Sequence, residues 1–317
     1  MRRSLTILSV LALGVSAHAA DLLVVVGAAG SEEFGKTFEN AAEAWEEAGK
    51  RGDATVTMIG RGEAAGQDLA QVKAALGGLD PASADPLWIV LIGHGTFDGR
   101  EAKFNLRGAD LAATDLAGML EPLKRPVAII NTATASSPFI KALSGENRIV
   151  ITATKSGYED SYARFGERLA ASIDSPEADI DQDGGTSLVE AFLAAAKGVE
   201  EFYEKEGRIP TEEALLDDNG DGRGTPADWF RGVRAVKVAK DGAEADGLRA
   251  HQWHLVPSAE ERRLPPEIRQ RRNALEAELF ALRGRKAKME EDDYFRELER
   301  IARQLARLYA EAEEGDE

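Results

Sequence analysis

The sequence predicts an α/β protein: a parallel sheet sandwiched between helices, followed by an acidic, glycine-rich region and a C-terminal helical hairpin. Three observations carry this expectation. Five short runs are nearly continuous in Val, Ile and Leu, the pattern of strands buried on both faces. Stretches with helical spacing separate them, which makes β-α-β units and a parallel sheet with helices on both sides. Beyond Pro265, apolar residues recur at three-, four- and seven-residue steps among many Arg and Glu.

Residues 1–19 read as an export signal. Arg2 and Arg3 precede an apolar stretch from Leu5 to Val15, too short to cross a bilayer, and Ala17 and Ala19 are the small residues a signal peptidase requires. The expected product is an exported chain, periplasmic or extracellular, and no later segment is apolar enough for a transmembrane anchor. Residues 20–171 hold the alternating pattern. "DLLVVVG" (21–27), "ATVTMIG" (54–60), "PLWIVLIG" (86–93), "PVAIIN" (126–131) and "NRIVITA" (147–153) are the expected strands. "EEFGKTFENAAEAWEEAG", "AGQDLAQVKAALGG" and "TDLAGMLEPL" are the expected helices between them. "GAAG" (27–30) opens the first helix and lacks the third glycine of a dinucleotide fingerprint, so it reads as a tight turn.

Residues 172–232 form the acidic region, and within 233–257 "RAVKVAK" and "HQWHLVP" resemble short strands that complete or flank the sheet. Residues 258–317 are the charged helical hairpin, broken near "MEEDD". Pro265 and Pro266 suit its first turn, and "SAEE" (258–261) suits a cap just upstream. The hairpin reads either as a surface for self-association or as two helices folded onto each other or onto the body.

A formal charge of −17 excludes a nucleic-acid partner, because phosphates would be repelled. The absence of cysteine excludes disulfides and thiolate metal sites, leaving oxygen and imidazole as ligands for any metal.

Such oxygens occur at a characteristic spacing in "DIDQDGGTSLVE" (179–190). Asp179, Asp181 and Asp183 stand at positions one, three and five of a twelve-residue calcium loop, and Gly184 at six permits its sharp turn. Gly185 offers a carbonyl at seven, Ser187 stands at nine, and Glu190 at twelve reaches the ion through both oxygens. This is the EF-hand pattern, and it implies Ca2+. "DDNGDGRGTPAD" (217–228) is a degenerate second copy, with Asp217, Asn219 and Asp221 at one, three and five and Asp228 at twelve. Gly224 and Pro226 spoil its following helix. The plainer reading of both is ordinary Asx-rich turns.

"LWIVLIGHG" places His94 and Gly95 at one strand end, and "VAIINTATASS" places a small-residue turn at the next. With "IVITATKSGYEDSYARF" further on, residues 21–170 resemble the legumain-like and caspase-like cysteine peptidases. The resemblance implies that His94 assists a thiolate and that the Gly95 N–H holds an oxyanion. Laid on the same motif, Asn131 takes the place of an acidic or polar residue, and Ala133 falls where the cysteine belongs. His94 and Gly95 are therefore vestigial on this reading, and Ala133 marks a missing nucleophile.

Two further readings stay open. Thr132, Thr134 or Ser136 supplies a hydroxyl nucleophile to His94 in an active hydrolase, although Ser136 better suits a cap for the following helix. Alternatively, the chain is an envelope scaffold. "HQWH" (251–254) lacks a third ligand nearby and is weak evidence for zinc. The expectation favoured by the residues is an exported calcium-binding pseudo-peptidase that takes a peptide or protein ligand.

Overall fold

The continuous apolar runs become the centre of one sheet. The computed structural model describes residues 20–62, 66–237 and 244–314; the expected export signal lies outside them. In chain order the α/β body runs β1 (Asp21–Val26), α1 (Glu32–Arg51), β2 (Thr55–Ile59), α2 (Asp68–Gly77), β3 (Leu87–Ile92) and a small meander of β4 (Gly95–Phe97), β5 (Ala102–Phe104) and β6 (Leu111–Ala112). It continues through α3 (Ala113–Leu120), β7 (Val127–Asn131), α4 (Pro138–Leu143), β8 (Arg148–Thr152) and α5 (Phe165–Ser172). All five expected strands form, and β1 with β2, β1 with β3, β3 with β7 and β7 with β8 pair in parallel.

Side-chain alternation assigns the two faces. Leu22, Val24, Trp88, Val90, Ile130 and Ile151 pack with one set of helices, including Trp45 of α1 and Leu169 of α5. Leu23, Val25, Ile89, Leu91, Ile129 and Val150 pack against α2, α3 and α4. Each such burial contributes roughly 1.5–3 kcal/mol, so the middle strands carry the fold. The first helix is specified locally as well: Ser31 accepts from the Phe34 N–H at 3.3 Å, Glu32 and Glu33 lie in the first turn, and Lys50 and Arg51 in the last.

The acidic region is part of this body. α6 (Leu188–Lys205) covers the α1 face through Phe192 and Ala195. β9 (Leu215–Asp217) and β10 (Thr225–Pro226) add antiparallel to β8, giving a seven-stranded sheet of order β10-β9-β8-β7-β3-β1-β2. The strands that finish the sheet therefore come from 215–226, where Leu216 is fully buried, and not from 233–257.

Within 233–257, β12 (Arg234–Ala235) pairs, among the described residues, only with β11 (Phe230–Arg231), and residues 238–243, which include the end of "RAVKVAK", lie outside the described part. "HQWHLVP" is not a strand. His251 closes α7 (Leu248–His251), and the residues after it are irregular. The physical reason is anchoring without a strand to pair with: Trp253 packs on Trp88, ring centroids 5.2 Å apart, and Leu255 is buried. The Leu255 carbonyl lies so close to Gly52 that a Cβ there would stand 1.9 Å from it.

The C-terminal segment matches its expectation closely. Ser258 accepts from the Glu261 N–H at 3.1 Å to cap α8 (Ala259–Arg263), and Pro266 opens α9 (Pro266–Arg285). After a break at residues 286–290, α10 (Glu291–Glu314) folds back. Leu282, Tyr294 and Ile301 form a small core between the two helices, joined by Leu275, Leu279, Leu298 and Leu305. The apolar stripes thus face each other. Among the described residues, no helix is long and apolar enough to cross a membrane.

A buried carboxyl pair clasps the β9–β10 connection to the start of α7. Asp218 accepts from the N–H groups of Gly247 and Ala250, both at 2.8 Å, and Asp246 accepts from those of Asp218 (2.9 Å) and Asn219 (3.1 Å). Asp246 Oδ2 also accepts from the Thr225 hydroxyl at 2.5 Å. Burial first, and then the neighbouring Asp218, pushes Asp246 up to about 8. An unfolded chain loses this proton near its ordinary value of 3.8, whereas the folded chain holds it to about 8. The clasp therefore makes stability fall as pH rises through that window. Urea midpoints measured between pH 5 and 8 should decline in the wild type relative to Asp246→Asn, which donates without titrating; parallel profiles would contradict the assignment.

Candidate functional site

Register brings the two strand-end motifs side by side. Leu91 of β3 is the pairing partner of Asn131 of β7, so the chain leaves both strands at the same edge, at Gly93-His94-Gly95 and at Thr132-Ala133-Thr134. The approach is close: a Cβ on Gly95 would stand 2.3 Å from the Thr134 carbonyl oxygen and 3.4 Å from the Ala133 methyl carbon. Only glycine fits there.

The hydroxyls of the turn are all occupied. Thr134 Oγ1 accepts from the Gly95 N–H at 3.0 Å and donates to the Gly95 carbonyl at 3.0 Å. Thr132 Oγ1 donates to the Leu91 carbonyl at 2.8 Å. Ser136 Oγ lies 3.2 Å from Thr154 Oγ1 and accepts from the Ala153 N–H at 3.1 Å. Ser136 therefore does not cap α4, whose first turn is instead preceded by Ser137 without a side-chain cap. The cause is burial: Ser136 is 1% exposed beside the β8 end, where its hydroxyl meets Thr154 Oγ1 and shares the Ala153 N–H with the Asn131 carbonyl.

Ala133 is fully buried in the core on the α2–α4 face, and its N–H is held by Asn131 Oδ1 at 3.1 Å. Two residues on, Ala135 adopts φ +53° and donates its N–H to the Glu159 carbonyl at 2.9 Å. A non-glycine residue in this left-handed region stores a small strain that the tight turn imposes.

His94 faces the other way. Its ring packs against Phe34 (centroids 4.8 Å apart), Phe38 (5.2 Å) and Tyr162 (6.2 Å). Nε2 lies 3.3 Å from the Ala29 carbonyl, a contact that assigns the proton to Nε2. Burial holds the imidazole below the ordinary histidine value, with the Ala29 carbonyl opposing. A neutral ring is suited to accept a proton, but the turn offers it neither a thiol nor an uncommitted hydroxyl.

The first acidic loop keeps the expected shape at its start. Asp179, Asp181 and Asp183 bring one oxygen each within 4.8 Å of one another, the one such group of acidic or histidine side chains among the described residues. Gly184 takes φ +87°, as the turn requires, and Asp179 accepts from the N–H groups of Asp183 (3.2 Å) and Gly184 (3.0 Å). Burial first, and then Glu190 and Asp183, raises the Asp181 carboxyl. These three carboxylates fit a divalent cation.

The end of the loop fits calcium less well. Glu190 Oε1 accepts from the N–H groups of Ile180 (2.8 Å) and Asp181 (3.1 Å), while Oε2 accepts from Ser187 N–H (2.8 Å) and Ser187 Oγ (2.7 Å). A carboxylate has about four acceptor positions, and all are spent. Ser187 and Glu190 thus form the capping box of α6 rather than two ligands.

The second loop is a β-hairpin, not a helix-loop-helix unit. Asp217 ends β9, and its carboxylate accepts from Gly220 N–H at 3.1 Å. Asn219 and Asp221 each accept from the amide two residues on, at 2.8 Å. Asp228 lies beyond β10 and pairs with Lys237 at 2.8 Å. Pro226 and the apolar pair Leu215–Leu216 favour strand over helix here, so Asp217, Asn219, Asp221 and Asp228 do not converge on a common point.

The sequence left two features of the site unread: the closure of Thr134 onto Gly95, and the arrival of the "HQWH" segment at the first loop. His251 Nε2 lies 3.7 Å from Asp181 Oδ2, and His254 Nε2 lies 4.0 Å from Asp183 Oδ2. The two segments lie some seventy residues apart in sequence, and nothing local signals that they meet.

Over 63% of its length the chain is similar to the protein GSU0716 from Geobacter sulfurreducens, covering 92% of that chain at 13% identity and a TM-score of 0.43. It is similar to the Drosophila initiator caspase Dronc over 65% of this chain and 81% of that one, at 13% identity and a TM-score of 0.39. Similarity to caspase-1 from Spodoptera frugiperda covers 63% of this chain and 86% of the other, at 10% identity and a TM-score of 0.42. No family model matches the chain, and no curated protein does.

Thr134→Val keeps the shape of the side chain and leaves the Gly95 amide and carbonyl without a partner. It should cost about 1–3 kcal/mol in urea unfolding, with Thr134→Ser restoring most of it; a loss no larger than that of Thr134→Ser would show that the closure is incidental.

Proposed function

We propose that this chain is an exported, calcium-binding pseudo-peptidase of legumain- and caspase-like architecture, acting by binding rather than by hydrolysis. The observation that carries the reading is the hydrogen-bonded closure of Thr134 onto Gly95 beside a fully buried Ala133. In the resembled peptidases the equivalent of the Gly95 N–H serves an oxyanion and the equivalent of Ala133 supplies sulfur. Here the amide already has an acceptor and the side chain is a methyl group. The packing of His94 into an aromatic cluster, with the hydroxyls of the turn bonded elsewhere, supports the same conclusion.

A binding role is supported at the rim of these strand ends. Tyr158 is 75% exposed and stands edge-on to Phe97, ring centroids 5.3 Å apart, offering an apolar contact for an extended peptide. Calcium is assigned to Asp179, Asp181 and Asp183, with the Gly185 carbonyl next in the loop. Such an ion would supply charge neutralisation and would pin the entry to α6, with Glu190 shaping the loop from behind. Export is read from the charged start, apolar middle and small-residue end of residues 1–19.

Two measurements test this reading. Incubated with a broad fluorogenic peptide and ester library, the purified chain should give no turnover above buffer; turnover that disappears in His94→Ala would replace the pseudo-peptidase with a hydrolase. Calorimetry should register calcium uptake that weakens roughly tenfold or more in Asp183→Asn and in Glu190→Ala. Unchanged isotherms in both variants would remove calcium from the proposal.

A further inference from the structure

The two edges of the seven-stranded sheet are built differently. At one, β10 is two residues long and contains Pro226, which has no N–H to donate, so this edge offers little to a further strand. At the other, β2 runs for five residues as Thr55-Val56-Thr57-Met58-Ile59, and among the described residues no strand pairs with its outer side. An open edge is ordinarily blunted by lysine, proline or a bulge. β2 has no charge and no proline, and its register with β1 runs unbroken from Thr55 to Ile59.

The groups this edge presents follow from its pairing with β1. The Thr55 N–H is given to the Ala20 carbonyl at 2.8 Å, so the backbone groups of Thr55, Thr57 and Ile59 face β1 and those of Val56 and Met58 face outward. Gly60, at φ +93°, lies so close to Val26 that a Cβ would stand 1.9 Å from its carbonyl oxygen, which holds the strand against the sheet to its end. The Val56 and Met58 side chains are half-buried on the α1 face, and Thr55 and Thr57 are exposed on the other. The edge is therefore fixed in place, with unpaired donors and acceptors along it.

We propose that β2 pairs antiparallel with β2 of a second copy of this chain, about a two-fold axis through Thr57, so that two seven-stranded sheets become one. Hydrogen bonding selects the register. Centred on Thr57, Val56 of each copy stands opposite Met58 of the other, and every outward N–H and C=O of these residues is paired; centring on Val56 or on Met58 pairs only part of them. The same centre joins Val56 to Met58 of the second copy on the α1 face, where direct cross-strand neighbours stand about 5 Å apart, and sets the two Thr57 side chains together on the other. Charge selects the direction. Arg61, just beyond β2, is held by Glu39, Glu43 and Glu46, whereas Asp53, just before it, is paired with the exposed Arg262. Antiparallel pairing brings Arg262 towards the acidic cluster of the second copy, while parallel pairing would set two acidic clusters side by side in chains of net charge −17. A five-residue ladder is small beside the roughly 800 Å2 per partner of a stable complex, so the association is of micromolar strength. It uses neither His94 nor the acidic loop and stands apart from the proposed function.

The absence of cysteine allows a test of the register in the full chain. Across the axis the two Thr57 residues form a pair without backbone bonds between them, whose Cα atoms stand about 4.5 Å apart, within reach of a disulfide. Mild oxidation of Thr57→Cys at micromolar concentration should yield a linked dimer, and Thr55→Cys, two residues from the axis, should link roughly tenfold more slowly or not at all. Sedimentation of the wild type should show a monomer–dimer equilibrium that Thr57→Lys weakens roughly fivefold or more, because like charges then stand directly opposite; circular dichroism checks that this exposed substitution leaves the fold intact. A wild type that stays monomeric over the micromolar range would overturn the proposal, as would a dimer of unchanged strength in folded Thr57→Lys, or equal linking at positions 55 and 57.

Discussion

Strands β3 and β7 are covered by helices on both faces, so each polar group at their carboxyl ends must find its partner inside the protein. That constraint organises everything at the candidate site. In an active enzyme of the resembled kind, some of these groups are left for substrate. In this chain they are spent on one another: Thr134 on Gly95, Thr132 on Leu91, and Ser136 on Thr154 and Ala153. Asn131 spends its carbonyl oxygen on the Ala133 amide, and only its Nδ2 is left without a partner. The site is satisfied, and satisfaction is the opposite of readiness to react.

The architecture was legible because its signal is local and repeated. "LWIVLIG" or "NRIVITA" cannot leave either face in water, and the helices between such runs announce themselves by their spacing. The C-terminal hairpin was legible for the same reason, since Leu279, Leu282 and Ile301 mark one stripe on each helix. β9 was missed because "ALLDD" is too short to show a period, and it becomes a strand only because β8 offers it an edge. "HQWHLVP" misled because alternation of apolar residues also suits a loop laid across a helix end, as Trp253 and Leu255 are here.

At the site itself, chemistry was more legible than direction. The small-residue turn holding Ala133 at a strand end beside that of His94, and the spacing of Asp179, Asp181 and Asp183, could both be read from the chain. The sequence could not reveal that Glu190 is consumed by loop amides, or that His251 and His254 cross from a distant segment to the same loop. Nor did the second acidic stretch disclose that its hairpin is closed by Asp218, a residue outside the calcium pattern, together with Asp246. In each case the deciding partner lies far away in sequence. Like charges packed this closely in a chain of net charge −17 must be offset by backbone amides, protons or cations, and the first two recur around α6 and α7.

The central claim is that no hydroxyl at these strand ends acts as a nucleophile with His94. It is tested most directly by exposing the folded chain to hydroxyl-directed electrophiles, a fluorophosphonate and a β-lactone, and mapping adducts by mass spectrometry. The account predicts no adduct on Thr132, Thr134 or Ser136; a stoichiometric adduct on any of them that vanishes in His94→Ala would contradict it.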